Sequence, residues 1–368
     1  MRAPKSMIDL PELQRGARVV ALREAMTDAC IDSFLTSDST SLRWLSGFTG
    51  SAGTLLVTDE NMQLLTDGRY GEQAPKETAG TGIDICIGDR KKHKEVIEVT
   101  LSAAKSLALE SDRITWSEAE ALRESVEAEL VPAKGLLSDL RRVKEPEEVV
   151  RLQAAATIAD QALAAVKADL AGEPTENEFA RALDHTMLEL GAEALSFETI
   201  CASGPNAALP HARPSDRTIR SGDLVILDFG AVIDGYHSDM TRTFAIGDVA
   251  QDLLGMLQAV INAQNRGCDR VEPGAKASDI DDACRSHLAM QNLSEYFVHG
   301  TGHGVGLEIH EGPWLNSQSD DILEKSQVVT VEPGVYRPGI GGVRIEDTVL
   351  VTSSGYQRLT TAPKDPII

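Results

Sequence analysis

Over the first 135 residues, short apolar runs alternate with stretches of helical period. From Pro11 to Ala29 the stripe Leu13, Ala17, Val20, Leu22 and Met26 predicts a helix. SFLTS, GTLLVT and MQLLT follow as short β runs, with DICI and LALES later. Helical stretches fall around 68–79, 92–106 and 117–128. The alternation predicts an α/β domain over residues 1–140. The charged, proline-containing stretch RRVKEPEE (141–148) then closes it and launches a long helix.

Residues 145–368 follow another plan. A helix over 147–171 is closed by Gly172 and Pro174, and a second is opened by the capping box Thr175-x-x-Glu178 and closed by Gly191. A β hairpin over about 223–246 comes next. The order then recurs: a helix over 250–270, a helix opened by Ser278-x-x-Asp281, and paired strand runs near 327–332 and 343–351. The expectation is an α+β domain of two similar halves, an internal two-fold pseudo-symmetry, with the strands meeting in one sheet.

Composition narrows the function classes. Lys and Arg number 35 against 57 Asp and Glu, so the net charge of -22 excludes nucleic acid and anionic membrane as natural partners. Cys30, Cys86, Cys201, Cys268 and Cys284 show no CxxC spacing, which suits reduced thiols. No apolar run reaches the length of a membrane span. A cytoplasmic protein is expected.

Candidate chemistry lies in the strands. In LVILDFGAVIDGYHSDMTRTF, Asp234-Gly235 is a strong hairpin cue. With those two residues in the turn, Asp228 faces Thr241 and Asp239 faces Gly230. Asp228 and Asp239 then share one face as diagonal neighbours, roughly 7 Å apart at Cα. Two carboxylates inside apolar strands repel each other and lose hydration, a conflict that a cation removes. VVTVEPGVYRPGIGGVRIEDTVLV adds Glu332 and Glu346 from strands of the same character. FVHGTGHGVGLEIHEGP adds His299, His303 and His310 on glycine-rich backbone. Four carboxylates and an imidazole suit two divalent ions that share bridging carboxylates.

These segments resemble the metallopeptidase family of pita-bread fold that includes methionine aminopeptidases, aminopeptidase P, prolidase and creatinase. The matching positions are Asp228 in LDFG, Asp239 in SDMTRTF, His303 in GTGHGVG, Glu332 in VEPG and Glu346 in RIED. GFTGSAGTLLVT and LLTDGRYGEQA (47–74) look like the N-terminal domain of Xaa-Pro aminopeptidases. The resemblance implies that Asp228 chelates one metal, His303 and Glu332 the other, while Asp239 and Glu346 bridge. It further implies a metal-bridging hydroxide as nucleophile, Glu332 as general base and His310 as stabiliser of the tetrahedral intermediate. His211 in LPHARPS would face substrate, His299 would lie on the proline side, and Arg344, with Tyr336, would steady the bridging carboxylates.

Manganese is the implied metal, with cobalt, zinc or iron as alternatives. The implied substrates are small peptides with proline second, hydrolysed by a homodimer. Arg69 and Tyr70 are candidates to close the pocket or simply to pack; Trp44, Leu45 and Phe48 are candidates for the dimer interface or the core. The N-terminal segments favour an Xaa-Pro aminopeptidase over a dipeptide-restricted prolidase. An inactive binding protein of the same fold is a remote third reading. Methionine aminopeptidase normally lacks such an N-terminal domain, and creatinase lacks the metal ligands.

Overall fold

The computed structural model describes residues 9–365 and 367. They fall into two compact units, Glu12–Arg141 and a second formed from Arg142 onward with residues 9–11.

In the first unit, α1 (Arg15–Asp28) leads into β1 (Ser33–Thr36) and α2 (Ser39–Ser46). Then come β2 (Gly53–Thr58), β3 (Met62–Thr66), α3 (Gln73–Glu77), β4 (Asp84–Ile87) and α4 (Arg90–Thr100). β5 (Ser106–Leu109), α5 (Trp116–Arg123), β6 (Glu129–Pro132) and α6 (Leu136–Arg142) follow. The mixed six-stranded sheet runs β4-β3-β2-β1-β5-β6. Leu35, Leu56, Leu65, Leu107 and Leu109 form its core with Ile97 of α4 and the adjoining Leu101.

Two details correct the expectations and a third decides between two of them. Val20 is 54% exposed, whereas Arg18, Val19, Leu22 and Met26 form the buried stripe of α1. Arg18 belongs there because its Nη1 donates to the Trp44 carbonyl at 2.8 Å. Trp44, Leu45 and Phe48 are buried in this unit's core. The short elements α2, β6 and α6 escaped the sequence pattern, and α2 depends on the Asp38 carboxylate accepting from the Ser41 amide.

The second unit opens with α7 (Pro146–Val166), which tightens into a 3₁₀ turn over Lys167–Gly172. Pro146–Gly172 is apolar and long enough to cross a membrane, yet half of its apolar window is packed inside the protein. It is a core helix, with Arg151 Nε donating to Asp234 at 2.7 Å. α8 (Glu176–Leu190) has the expected capping box at Thr175 and Glu178 and ends on Gly191, whose φ of 119° suits a residue without Cβ. β7 (Ala194–Leu195) and β8 (Ile200–Ser203) precede the first hairpin, which comprises β9 (Leu224–Phe229), β10 (Ala231–Ile233), β11 (Tyr236–His237) and β12 (Met240–Ala245). α9 (Gln251–Cys268) and α10 (Ala277–Met290) repeat the helix pair, and β13 (Gly302–Gly304) and β14 (Glu311–Leu315) follow. The second hairpin comprises β15 (Val328–Val331), β16 (Gly334–Arg337), β17 (Gly341–Arg344) and β18 (Asp347–Val351), with β19 (Tyr356–Arg358) beyond it.

The first hairpin has the predicted register: Thr241 pairs with Asp228 and Met240 with Phe229. Asp234 and Gly235 both take positive φ, 45° and 75°, as a tight turn of matching twist requires. In the second hairpin Val331 pairs with Asp347 and Gly334 with Arg344, one continuous register interrupted around Glu332 and Glu346. Asp239, Glu332 and Glu346 therefore sit where the ladders break, and Asp228 lies one residue from the end of β9.

Separate cores lie under the two hairpins, Phe179, Leu183, Leu227 and Phe244 in one, Val260, Ile280, Val331 and Val349 in the other. The hairpins do not form one continuous sheet. β8, β9 and β12 make a three-stranded sheet, and β13, β14, β15, β18 and β19 a five-stranded one. They join where the Glu346 amide donates to the Thr241 carbonyl at 3.1 Å and Thr348 Oγ1 donates to the Asp239 carbonyl at 2.7 Å. The helix pair of the second half also starts differently from its expectation. Lys276, with no side-chain cap, precedes α10, and Ser278 and Asp281 lie inside the helix. Asp281 is fully buried and accepts from the Thr301 amide and hydroxyl instead.

Candidate metal centre

The strand breaks project acidic side chains into one cavity of about 640 Å³. Asp228, Asp239, His303, Glu332 and Glu346 all line it, together with His211, His299, His310, Arg344 and Tyr336. Every residue that the sequence singled out as ligand or catalyst is thus brought together. Arg69 and Tyr70 are engaged within their own unit. Arg69 pairs with Asp67, and Tyr70 packs edge-on against Phe48 while its hydroxyl accepts from the Ser51 amide.

His303 sits in the middle of β13, between β14 and β15. Its strand neighbours are glycines because nothing larger fits. A Cβ on Gly302 would lie 2.0 Å from the Thr330 carbonyl oxygen, and one on Gly304 2.2 Å from that of Gly312. The Nδ1 edge of His303 is bound to the Gly304 carbonyl at 3.0 Å. Its Nε2 therefore faces the carboxylates, 3.3 Å from Glu332 Oε1 and 3.7 Å from Asp239 Oδ2. Ligand atoms of Asp239, His303 and Glu346 all lie within 4.8 Å of one another.

The carboxylates are held from behind, each with capacity to spare. Arg344 Nη2 donates to Asp228 Oδ2 at 2.6 Å, and Thr241 Oγ1 donates to Glu346 Oε2 at 2.7 Å. Asp228 Oδ1 and Glu346 Oε1 are buried with no hydrogen-bond partner among the described residues. Orphaned anionic oxygens in a pocket of this kind are unfavourable until a cation meets them. The donor set, four carboxylates and one oriented imidazole, fits divalent ions.

The charges respond to this crowding. Burial lifts Asp239 well above the usual carboxylate range, and Glu346, Asp228 and Glu332 push it the same way. Glu346 rises well above its ordinary value for the same reasons, burial first, then the charges of Glu332 and Asp228. Burial also raises Asp228, against the pull of Arg344. Glu332 behaves differently. Burial opposes its ionisation, but the His303 hydrogen bond and the charges of His303, His299 and Arg344 bring it down to about 2. For His303, burial disfavours the charged ring, and the bond and charge of Glu332 outweigh it and raise the pKa. His310, stacked edge-on to His303 at 4.4 Å, is lowered by burial and then by the His303 charge.

Arg344 acts on different carboxylates than expected. Its direct partner is Asp228, while it reaches Glu346 through Nε to Thr241 Oγ1 at 3.1 Å. Its Nη1 also donates to the Tyr336 oxygen at 2.7 Å, and Tyr336 is 2.9 Å from His299 Nε2. His299 Nδ1 meets the Gly300 carbonyl at 2.7 Å. Both nitrogens of His299 are therefore engaged, and burial lowers its pKa. Thr241 was not singled out by sequence, although its place opposite Asp228 in the hairpin register was the available signal. Phe197, Ile200 and Trp314 line the same cavity and carried no signal beyond their apolar character. His211 is exposed at the cavity wall, next to Pro210, whose carbonyl accepts from Arg344 at 3.2 Å.

Comparison with known proteins places the whole chain in a family. Residues 150–353 match the model of Metallopeptidase family M24, and residues 18–143 that of the Creatinase/Prolidase N-terminal domain. The chain is 34% identical to a Xaa-Pro dipeptidase of Pyrococcus horikoshii, over 95% of this chain and 98% of the relative. The structure of a Xaa-Pro dipeptidase from Bacillus anthracis superposes with a TM-score of 0.92 at 39% identity, covering 96% of this chain and all of the other. An X-Pro aminopeptidase from Thermotoga maritima superposes with a TM-score of 0.86 at 31% identity, covering 94% of this chain and all of the other.

Proposed function

From the membership of this chain in metallopeptidase family M24, with a creatinase/prolidase N-terminal domain, we propose that it hydrolyses the bond between an N-terminal residue and a following proline. The observation that carries the reading is the convergence of five ligand-type side chains, two with orphaned oxygens, on one cavity with three histidines. Asp228, Asp239 and Glu346 would hold one divalent ion, and Asp239, Glu346, His303 and Glu332 a second. Bound there, the two ions polarise the scissile carbonyl and lower the pKa of an attacking water.

The side chains supply the rest. Glu332, kept ionised by His303, takes the water's proton on its carboxylate. His310 is neutral near pH 7 and offers an N–H to the developing oxyanion. His299 presents its ring to the proline side, oriented by Tyr336 and the Gly300 carbonyl. Phe197, Ile200 and Trp314 give the pyrrolidine ring an apolar wall. A bond before proline is a tertiary amide without N–H, so a site that recognises it must rely on shape. Carboxylates near the ions suit the free α-amine of the substrate.

Two relatives above are named Xaa-Pro dipeptidases, and that makes dipeptides the favoured substrates in place of the longer peptides first expected. The longer-peptide reading keeps one observation in its favour. Of the arginines lining the cavity, Arg344 is committed to Asp228 in a buried pair, which leaves, among the described residues, only the exposed Arg213, loosely paired with Glu198, to meet a free proline carboxylate. Comparing kcat/KM for a Xaa-Pro dipeptide with that for its tripeptide extension decides between them. A preference for the dipeptide beyond about tenfold, some 1.4 kcal/mol of transition-state binding, supports the prolidase. A reverse preference of that size supports the aminopeptidase. Cleavage of neither removes the proposal.

A further inference from the structure

Directly after Glu346 comes Asp347, fully buried and pointing away from the cavity into a knot of donors. Its Oδ1 accepts from Arg242 Nη2 at 2.9 Å and Thr360 Oγ1 at 3.2 Å. Its Oδ2 accepts from Gln264 Nε2 at 3.2 Å and forms ion pairs with Lys364 Nζ at 2.6 Å and Arg358 Nε at 3.0 Å. Three cations, Arg242, Arg358 and Lys364, thus meet one buried carboxylate, with Thr360 and Gln264 as neutral donors. Arg242 ties the knot to the metal ligand, since Nη1 donates to the Glu346 and Thr241 carbonyls while Nε and Nη2 donate to the Ala362 carbonyl. The segment Thr360–Lys364 is fastened on its other side as well. The Thr361 and Ala362 amides both donate to Asp160 of α7 at 2.8 Å. The backbone of Glu346 is thus held from both sides, its amide by the Thr241 carbonyl and its carbonyl by Arg242, which Asp347 holds in turn while Lys364 pairs with Asp347.

We infer that Lys364 and Asp347 form a latch through which the segment Thr360–Lys364 positions Glu346 and sets how tightly the centre holds its ions. This rests on the reading of Glu346 as a metal ligand. Lys364 never meets the ion or the substrate; it acts through Asp347. Buried partners behind a ligand orient it, and their loss typically lowers metal affinity by about ten- to a hundredfold.

The test uses the full-length protein and the variants Lys364→Met, Lys364→Arg and Glu346→Gln. Manganese dissociation constants are measured by chelator competition, and the visible spectrum of the cobalt-loaded protein reports ligand geometry. Lys364→Met is expected to weaken at least one of the two manganese sites about tenfold, and to shift the cobalt bands. Lys364→Arg keeps the cation and is expected to restore both readouts. A Lys364→Met protein that binds manganese as tightly as the parent overturns the latch, even if its thermal midpoint falls. Unchanged binding in Glu346→Gln, or no binding by the parent, overturns the ligand assignment and the latch with it.

Discussion

At the residue scale, the informative atoms are those without partners. Asp228 Oδ1 and Glu346 Oε1 are buried and unpaired among the described residues, yet Arg344 and Thr241 hold the opposite oxygens of the same carboxylates. Division of labour among the histidines follows from the same contacts. His303→Ala should lower metal occupancy, whereas His310→Ala should keep the metals and lower kcat roughly a hundredfold, the loss expected for one oxyanion donor. Elemental analysis beside steady-state kinetics separates the two, and equal metal loss in both variants contradicts the assignment. Asp239→Asn should remove turnover while the far-UV circular dichroism stays that of the parent. Proton linkage gives a further outcome. Asp239 and Glu346 are raised well above their ordinary values of 3.8 and 4.5. A carboxyl raised in this way contributes stability fully below its unfolded value, and that contribution is lost as pH climbs through the raised folded value. The metal-free chain should therefore weaken with rising pH, and divalent ions should take over as the protons leave. Uptake of ions should release protons, His303 adding its own. Calorimetric titration in buffers of different ionisation enthalpy measures this, and zero release between about pH 6 and 8 contradicts it.

At the element scale, short strands interrupted at the carboxylates do the positioning, and tolerance for change there is low. Gly302→Ala puts a Cβ 2.0 Å from the Thr330 carbonyl, so β13 must part from β15 and carry His303 with it. A loss of about 2 kcal/mol or more in urea unfolding is expected, as for overpacking, together with weaker metal binding. Wild-type values of both would show that β13 adjusts freely. Asp281→Ala removes the acceptor for the Thr301 amide and hydroxyl and for Arg285 Nε, and Arg285 in turn holds the carbonyls of Phe297 and His299. A cost of about 3 kcal/mol is expected for a broken buried pair, and a cost within error of zero would deny Asp281 that role. These elements also mark what could be read from sequence. Asp234-Gly235 determined the register of its hairpin, and Thr175 and Glu178 the start of α8, because turn and cap chemistry is local. Ser278 and Asp281 have the same spacing without the cap, because Asp281 is used by Thr301, twenty residues away. Asp347 passed unnoticed beside Glu346 for the same reason: its partners come from Arg242, Gln264, Arg358, Thr360 and Lys364. Val20 satisfied a helical period yet faces solvent, since Arg18 finds a carbonyl partner in the core and shifts the buried stripe.

At the scale of the whole molecule, two halves of similar plan each bring a broken hairpin, and the ligands converge where the breaks meet. That arrangement explains why the ligand set was legible from one sequence while the join was not. Each carboxylate lies in its own strand pattern, whereas the join depends on a few bonds between Thr241, Thr348 and the second hairpin. Four of the 57 acidic side chains, Asp228, Asp239, Glu332 and Glu346, face one another in the cavity and call for cations of their own. A two-ion centre at this convergence would cleave before proline only when both ions are bound. Its most direct test is the initial rate of release of the N-terminal residue from a Xaa-Pro peptide, followed as divalent manganese is added stepwise to chelator-stripped protein, with the Xaa-Ala peptide in parallel. The account predicts no cleavage at the start, a rise that breaks at about two equivalents per chain, and negligible cleavage of the Xaa-Ala peptide throughout. Cleavage that persists without added metal, or equal rates on the two peptides, would contradict it.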